Sequence, residues 1–353
     1  GGEYEEYNSE ERKVVKSKAL PIVDNLEDGG SDAILSAEQG KVLDRKISTL
    51  KSGGELKILL VGSSHGMNTI SQFPWIAYKS GFNVTVGNVY KGSLTLQQVA
   101  ASITNSTSIG GWFKVFEGGA WVSKNSTMFD DVITYTEWDY IIVQRSASDD
   151  DTWTDEQSAA LDVIIEQIKK ATTNNPTIVF NTGFADPDSS QMNQEEASNT
   201  IISSAKEMKS EYQLDIIPVA TAIQNARNTS LGNLGNYYGS ESKKNQLCYD
   251  SMHLDYGIGC YVAGATLFEF FFRKFGWSVL TAEGYGSYDE VKTFVDTLVD
   301  SGGDEGSSNA YTEPNSETMK IAKYCAIAAV NNMDVFSIKL AEKWPQVSRK
   351  KPL

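Results

Sequence analysis

Histidine is almost absent from this sequence: His65 and His253 are the only two among 353 residues. Any chemistry that needs an imidazole must use one of them, and a metal site built on several histidines is excluded. Cysteine is scarce as well. Cys248, Cys260 and Cys325 contain no CxxC pair, which excludes a disulfide framework and a zinc ribbon. Basic residues are outnumbered, 31 Lys and Arg against 46 Asp and Glu, for a formal net charge of −15. No nucleic-acid partner is expected, because gripping a phosphate backbone takes clustered Lys and Arg. No P-loop occurs, and no cofactor or metal is expected. A long uncharged apolar run is missing too. The best candidate, residues 258–275, carries Glu269, Arg273 and Lys274 and reads as a core helix rather than a membrane span. Residues 1–8 are acidic and polar, without the pattern of a secretory signal.

What is present suffices for a large core: 40% of residues are hydrophobic and 10% aromatic. Residues 1–54 are rich in charge and end in Lys-Ser-Gly-Gly, a linker composition. Within them Ser36 can cap a helix over 36–50 whose apolar positions Val42, Leu43, Ile47 and Leu50 recur every three or four residues. So narrow a stripe needs a partner chain or an adjacent domain to cover it. From residue 55 the pattern alternates. Short apolar runs at 56–61, 83–89, 139–143, 177–181 and 214–219 read as strands, and stretches at 68–80, 155–171 and 194–212 read as helices. That alternation predicts an α/β domain over 55–280 with a mostly parallel sheet covered on both faces. Residues 281–353, with helices over 289–299 and 316–331, are expected to form a helical extension packed on the same domain.

In such sheets ligands gather beyond the carboxyl ends of the strands. The first strand ends in Val61-Gly62-Ser63-Ser64-His65-Gly66, a turn that exposes a serine near the positive end of a helix dipole. Small residues there can equally be plain helix caps. Far downstream stands Asp250-Ser251-Met252-His253. An Asp three residues before a His lets the carboxylate hold one ring nitrogen and leaves the other free as a base. A surface Asp–His pair would look the same in isolation.

Taken in order, these elements resemble the SGNH (GDSL-like) hydrolase superfamily. The resemblance spans about residues 56–275 and implies a three-layer α/β/α sandwich with a flavodoxin-like sheet. It also implies a serine hydrolase with Ser64 as nucleophile, His253 as base and Asp250 as its orienter. The oxyanion hole would comprise the Ser64 amide, Gly92 in the block after the second strand, and the Gln144 side chain. Two blocks depart from the family pattern. Ser63 stands where Asp or Asn is usual, and Gln144-Arg145-Ser146 replaces Gly-x-Asn-Asp.

Aromatic and polar residues in the predicted loops, among them Trp112, Trp121, Trp153, Asp186, Asp188, Tyr237 and Tyr238, suit sugar rings better than long acyl chains. The expected substrate is therefore an O-acetylated polysaccharide, with His65, Arg145 and Trp153 facing it. Residues 28–43 (DGGSDAILSAEQGKVL) are similar to a segment recurrent in phage tail-fibre and related virion proteins. That similarity implies a virion or prophage setting and a homotrimer formed through the N-terminal segment. A catalytically weak or inactive glycan-binding module on the same fold is the alternative, motivated by the two departing blocks.

Overall fold

The computed structural model describes residues 3–7, 14–18, 22–23, 34–35, 54–145, 152–187, 194–237, 245–282, 285–299 and 311–335. The chain divides into two compact units, Gly1–Gly54 and Glu55–Leu353. In the first unit, Glu3–Tyr7 pairs antiparallel with Val14–Lys18, and Ile22–Val23 pairs parallel with Ile34–Leu35. The sequence reading of this stretch as linker and helix is thus corrected for its described parts. Tyr, Val and Ile confer a strand propensity that the charge-rich composition hides. The helix expected over 36–50 lies outside the described residues.

The second unit is an α/β structure. Its strands are β1 (Glu55–Gly62), β2 (Asn83–Tyr90), β3 (Trp112–Glu117), β4 (Ala120–Lys124), β5 (Tyr140–Gln144), β6 (Thr177–Asn181) and β7 (Asp215–Ile217). Its helices are α1 (Ser64–Ile70), α2 (Phe73–Lys79), α3 (Leu96–Thr104), α4 (Phe129–Ile133), α5 (Asp155–Ala171), α6 (Gln194–Tyr212), α7 (Val219–Arg227), α8 (Ile258–Phe272), α9 (Tyr288–Leu298) and α10 (Ser316–Asn331). The seven strands form one mixed sheet in the order β7-β6-β5-β1-β2-β3-β4. Five strands are parallel, and the β3–β4 hairpin extends the sheet antiparallel from β2. The sequence reading missed this hairpin although its turn carries a signal. Gly118 and Gly119 take φ of 63° and 89°, the paired positive values of a tight two-residue hairpin turn.

The single helix expected over 68–80 is two. The chain breaks at Ser71 and Gln72, and Pro74 sits in the first turn of α2, where its missing N–H leaves nothing unpaired. Along β1, Leu59 and Val61 join a core cluster with residues of α3, α4, α5 and α6, while Ile58 and Leu60 alternate to the opposite face. Helix α8 fills that opposite side. Of its fifteen residues only Phe270 is more than slightly exposed, because α1, α2, α7 and α10 pack around it. The apolar run at 258–275 is therefore core. Among the described residues no helix is long and apolar enough to cross a membrane. Helix α9 packs on β4, and the buried Lys114 of the neighbouring β3 donates to the carbonyls of Thr297 at 3.1 Å and Leu298 at 2.8 Å, matching a cation to a helix C-terminus.

Candidate active site

Ser63 is the N-cap of α1, with extended backbone (φ −88°, ψ −164°), and Ser64 is the first helical residue. The first amides of a helix have no intrahelical acceptor, so the Ser64 N–H stands at the positive end of the α1 dipole. The turn is pressed tightly onto the sheet. A Cβ added at Gly66 would lie 2.7 Å from Leu60 Cδ2 and 3.3 Å from Gln144 Oε1, so only glycine lets α1 approach β1 and β5 so closely. Lys91 N–H donates to the Gly62 carbonyl at 3.4 Å, which brings the exposed Gly92 to the same end of the sheet.

The second histidine sits on a short loop closed on itself. Cys248 and Leu254 form an antiparallel bridge, and Tyr249 N–H donates to the His253 carbonyl at 3.0 Å. At its tip Asp250 Oδ2 lies 2.7 Å from His253 Nδ1. Oδ1 of the same carboxylate accepts the amides of Met252 at 2.8 Å and His253 at 2.6 Å. Burial pushes the Asp250 carboxyl up, but the hydrogen bonds from the His253 ring and from the two amides outweigh it and hold the group below the usual carboxylate range. The carboxylate is thereby fixed from three directions, and the imidazole keeps Nε2 for other work. Tyr249 stacks on the ring at 5.8 Å. The loop is tied to the serine-bearing helix by Leu254 N–H, which donates to Asn68 Oδ1 at 3.1 Å. The His65 and His253 rings meet edge to face at 6.2 Å.

His65 itself is only 2% exposed and stacks on Phe184 at 4.1 Å. Burial, followed by the nearby His253, pulls its pKa down to about 3. The ring is therefore neutral at ordinary pH, and the 3.7 Å approach of its Nε2 to Asp186 is not an ion pair. The expectation that His65 faces substrate is corrected: it is an internal spacer beneath the His253 loop. Cys248 borders that loop as a buried free thiol, pushed up to about 12 by burial, and is no thiolate nucleophile.

Gln144 closes β5 at 3% exposure, with its side chain beside Gly62, Gly66 and Gly183. Its neighbour Arg145 goes elsewhere. Arg145 Nη1 donates to the Thr152 carbonyl at 3.1 Å and to Ser204 Oγ at 2.9 Å, tying β5 to α6. Alternation along a strand sends consecutive side chains to opposite faces, which is why Arg145 and Gln144 part company. Trp153 is likewise turned inward. It packs on Phe180 at 5.9 Å and donates to Ser158 Oγ at 2.9 Å. The sequence reading expected both to face the substrate, whereas these contacts are made to neighbouring parts of the protein. Trp121 is core as well, 5% exposed, while Asp188 and Tyr238 lie outside the described residues.

Four residues that sequence reasoning missed organise the site. Asn68 links α1 to the histidine loop, and Phe184 supports His65. Asn181 donates to Gln144 Oε1 at 2.6 Å. Arg227 joins two loops, donating to the carbonyls of Ala185 at 2.8 Å and Gln246 at 3.0 Å. Only Asn181 carries a signal in the sequence, as a polar residue closing an apolar strand run. Among the described residues no group of three His, Cys, Asp or Glu side chains is placed to hold a metal ion.

A solved structure of a DUF4886 family protein from Bacteroides uniformis ATCC 8492 is similar to this chain, with a TM-score of 0.61 at 21% identity. The match covers 80% of this chain and 98% of that one, and at this identity it shows the fold alone. No curated protein matches the chain. The family model described as "Domain of unknown function (DUF4886)" matches residues 57–281, from β1 through the histidine loop and α8. With more than half of its length matched, and with the serine turn and the histidine loop inside the match, the chain belongs to the DUF4886 family.

Proposed function

We propose that this chain is a serine esterase of the SGNH type that removes O-acetyl groups from a polysaccharide. One observation carries the reading: Asp250 holds His253 Nδ1 at 2.7 Å, on a loop bonded to the helix that begins at Ser64. The five parallel strands support it. Numbered among themselves they run 2-1-3-4-5, the flavodoxin-like order, and Ser64 follows the carboxyl end of β1.

In this reading His253 Nε2 takes the proton of Ser64 Oγ as that oxygen attacks the ester carbonyl. The oxyanion is held by the amides of Ser64 and Gly92 and by Gln144 Nε2. His253 returns the proton to the departing sugar hydroxyl. It next deprotonates a water, which attacks the acyl-enzyme, frees acetate and restores Ser64. The half-exposed pair of Tyr90 and Trp112, tilted against each other at 4.8 Å beside Lys91 and Gly92, gives a sugar ring an aromatic face. The virion setting and the trimer are proposals resting on residues 28–43 alone. Light scattering on the full chain tests the trimer, and a monomer contradicts it.

Comparing acetyl and long-chain nitrophenyl esters tests the substrate class. A higher kcat/KM for the acetyl ester is expected, and a preference for the long chain contradicts the reading. A native protein that binds glycans yet hydrolyses neither ester would favour the binding module.

A further inference from the structure

We infer that Asn181 is a positioning residue that fixes which end of the Gln144 amide faces the reaction. The inference rests on the proposed role of Gln144 as an oxyanion donor and follows from a chain of hydrogen bonds whose polarity has one solution. The chain starts at the His65 carbonyl in α1, a group that can only accept. Thr69 Oγ1 donates to it at 2.8 Å. A hydroxyl has a single proton, so toward Asn181, 3.3 Å away, Thr69 Oγ1 can only accept. The Asn181 atom at that contact must therefore be Nδ2. That same nitrogen lies 2.6 Å from Gln144, whose facing atom must then be the acceptor Oε1.

A carboxamide is planar with its two ends opposed, so Nε2 is turned away from Asn181. It points toward Gly183, where an added Cβ would lie 3.6 Å from it. Gln144 Nε2 is buried and has no hydrogen-bond partner among the described residues. Water cannot reset this arrangement, since Thr69 and Asn181 are 0% exposed and Gln144 is 3% exposed. The polarity set at the His65 carbonyl, one residue after the proposed nucleophile, is thus passed through Thr69 and Asn181 to the Gln144 amide. A donor without a ground-state partner is what a developing oxyanion needs. Left to itself the amide could present either end, and its oxygen would repel the same charge.

The test has a structural arm and a kinetic arm. In the native protein, NMR of the labelled side-chain amide is expected to give an NOE from the Gln144 Nε2 protons to the Gly183 Hα. An NOE to the Gly66 Hα instead, on the side where Oε1 lies, overturns the inference without reference to any activity. In Asn181→Asp, assayed at a pH where the new carboxyl is ionised, the side chain can only accept, so the Gln144 amide must invert. For an acetyl nitrophenyl ester kcat should fall by about 10²–10³-fold, the cost of one oxyanion donor, with KM unchanged. Gln144→Ala should cost as much by itself and nothing further in the Asn181→Asp background. Losses that multiply in the double variant mean that Asn181 acts independently of Gln144, and the inference fails. If Asn181→Asp does not fold, the same cycle is run with Thr69→Val, which removes the polarising hydroxyl. A native protein that shows the Gly183 NOE but hydrolyses no ester leaves the relay standing and defeats the proposed function instead.

Discussion

Asp250 does two jobs with its two oxygens. Oδ1 shapes the turn by accepting the Met252 and His253 amides, and Oδ2 orients the imidazole. Asp250→Asn separates them. Its carbonyl can still accept the amides, but its NH2 must face Nδ1 and forces the wrong ring tautomer. The turn should survive while kcat drops by about 10⁴-fold with little change in KM, read from steady-state kinetics on an acetyl ester. The carboxylate also links the loop to pH. Its folded pKa lies below the ordinary 3.8, so its stabilising contribution is present above that value and is lost as pH falls through the lower, folded one. His253→Ala should abolish hydrolysis, and His65, buried and neutral, has no exposed nitrogen with which to replace it. The Asp–His contact was legible in the sequence because three residues of spacing nearly dictate it. The Gln144–Asn181 contact was not. It joins residues 37 apart in the chain, and Asn181 to Thr69 spans 112, so tertiary placement alone brings them together.

Between elements, Asp255 is the residue that staples the C-terminal part to the histidine loop. Its Oδ1 accepts the amides of Gly257 at 2.9 Å and Thr312 at 2.8 Å, and its Oδ2 accepts the Thr312 hydroxyl at 2.8 Å. The start of α8 and the segment leading into α10 are held at one point. Burial pushes the Asp255 pKa up to about 6 although these hydrogen bonds pull the other way. From about 3.8, where the unfolded chain releases this proton, to about 6 the folded state binds more protons, so this group lowers stability as pH rises through that window. Asp255→Asn removes the ionisation and can keep the amide contacts. Its advantage over the native protein in thermal unfolding should grow between pH 4 and 6 and then level off, on the order of 1–3 kcal/mol. A constant offset across that range contradicts the account. The elements themselves were legible where periodicity is strong: α5, β6, α6 and α10 occupy the residues their patterns indicate. Helices α3, α4 and α7 went unread. They are five to nine residues long, too short for a 3.6-residue period to declare itself.

At the scale of the molecule, the residues named for the proposed site all lie in Glu55–Leu353. A chain lacking residues 1–54 should therefore hydrolyse acetyl esters with unchanged kcat/KM. A large loss would show that the first unit completes the site. The net charge of −15 makes association with anionic polymers unfavourable, and neutral or weakly charged acetylated glycans suit the surface better. The central claim is that Ser64 is a nucleophile activated by His253. A fluorophosphonate probe reacts with such a serine and with few others, and peptide mass mapping locates the adduct. The expected result is a single adduct on Ser64, absent in Ser64→Ala and strongly slowed in His253→Ala. An unlabelled native protein, or labelling that persists in Ser64→Ala, would contradict it.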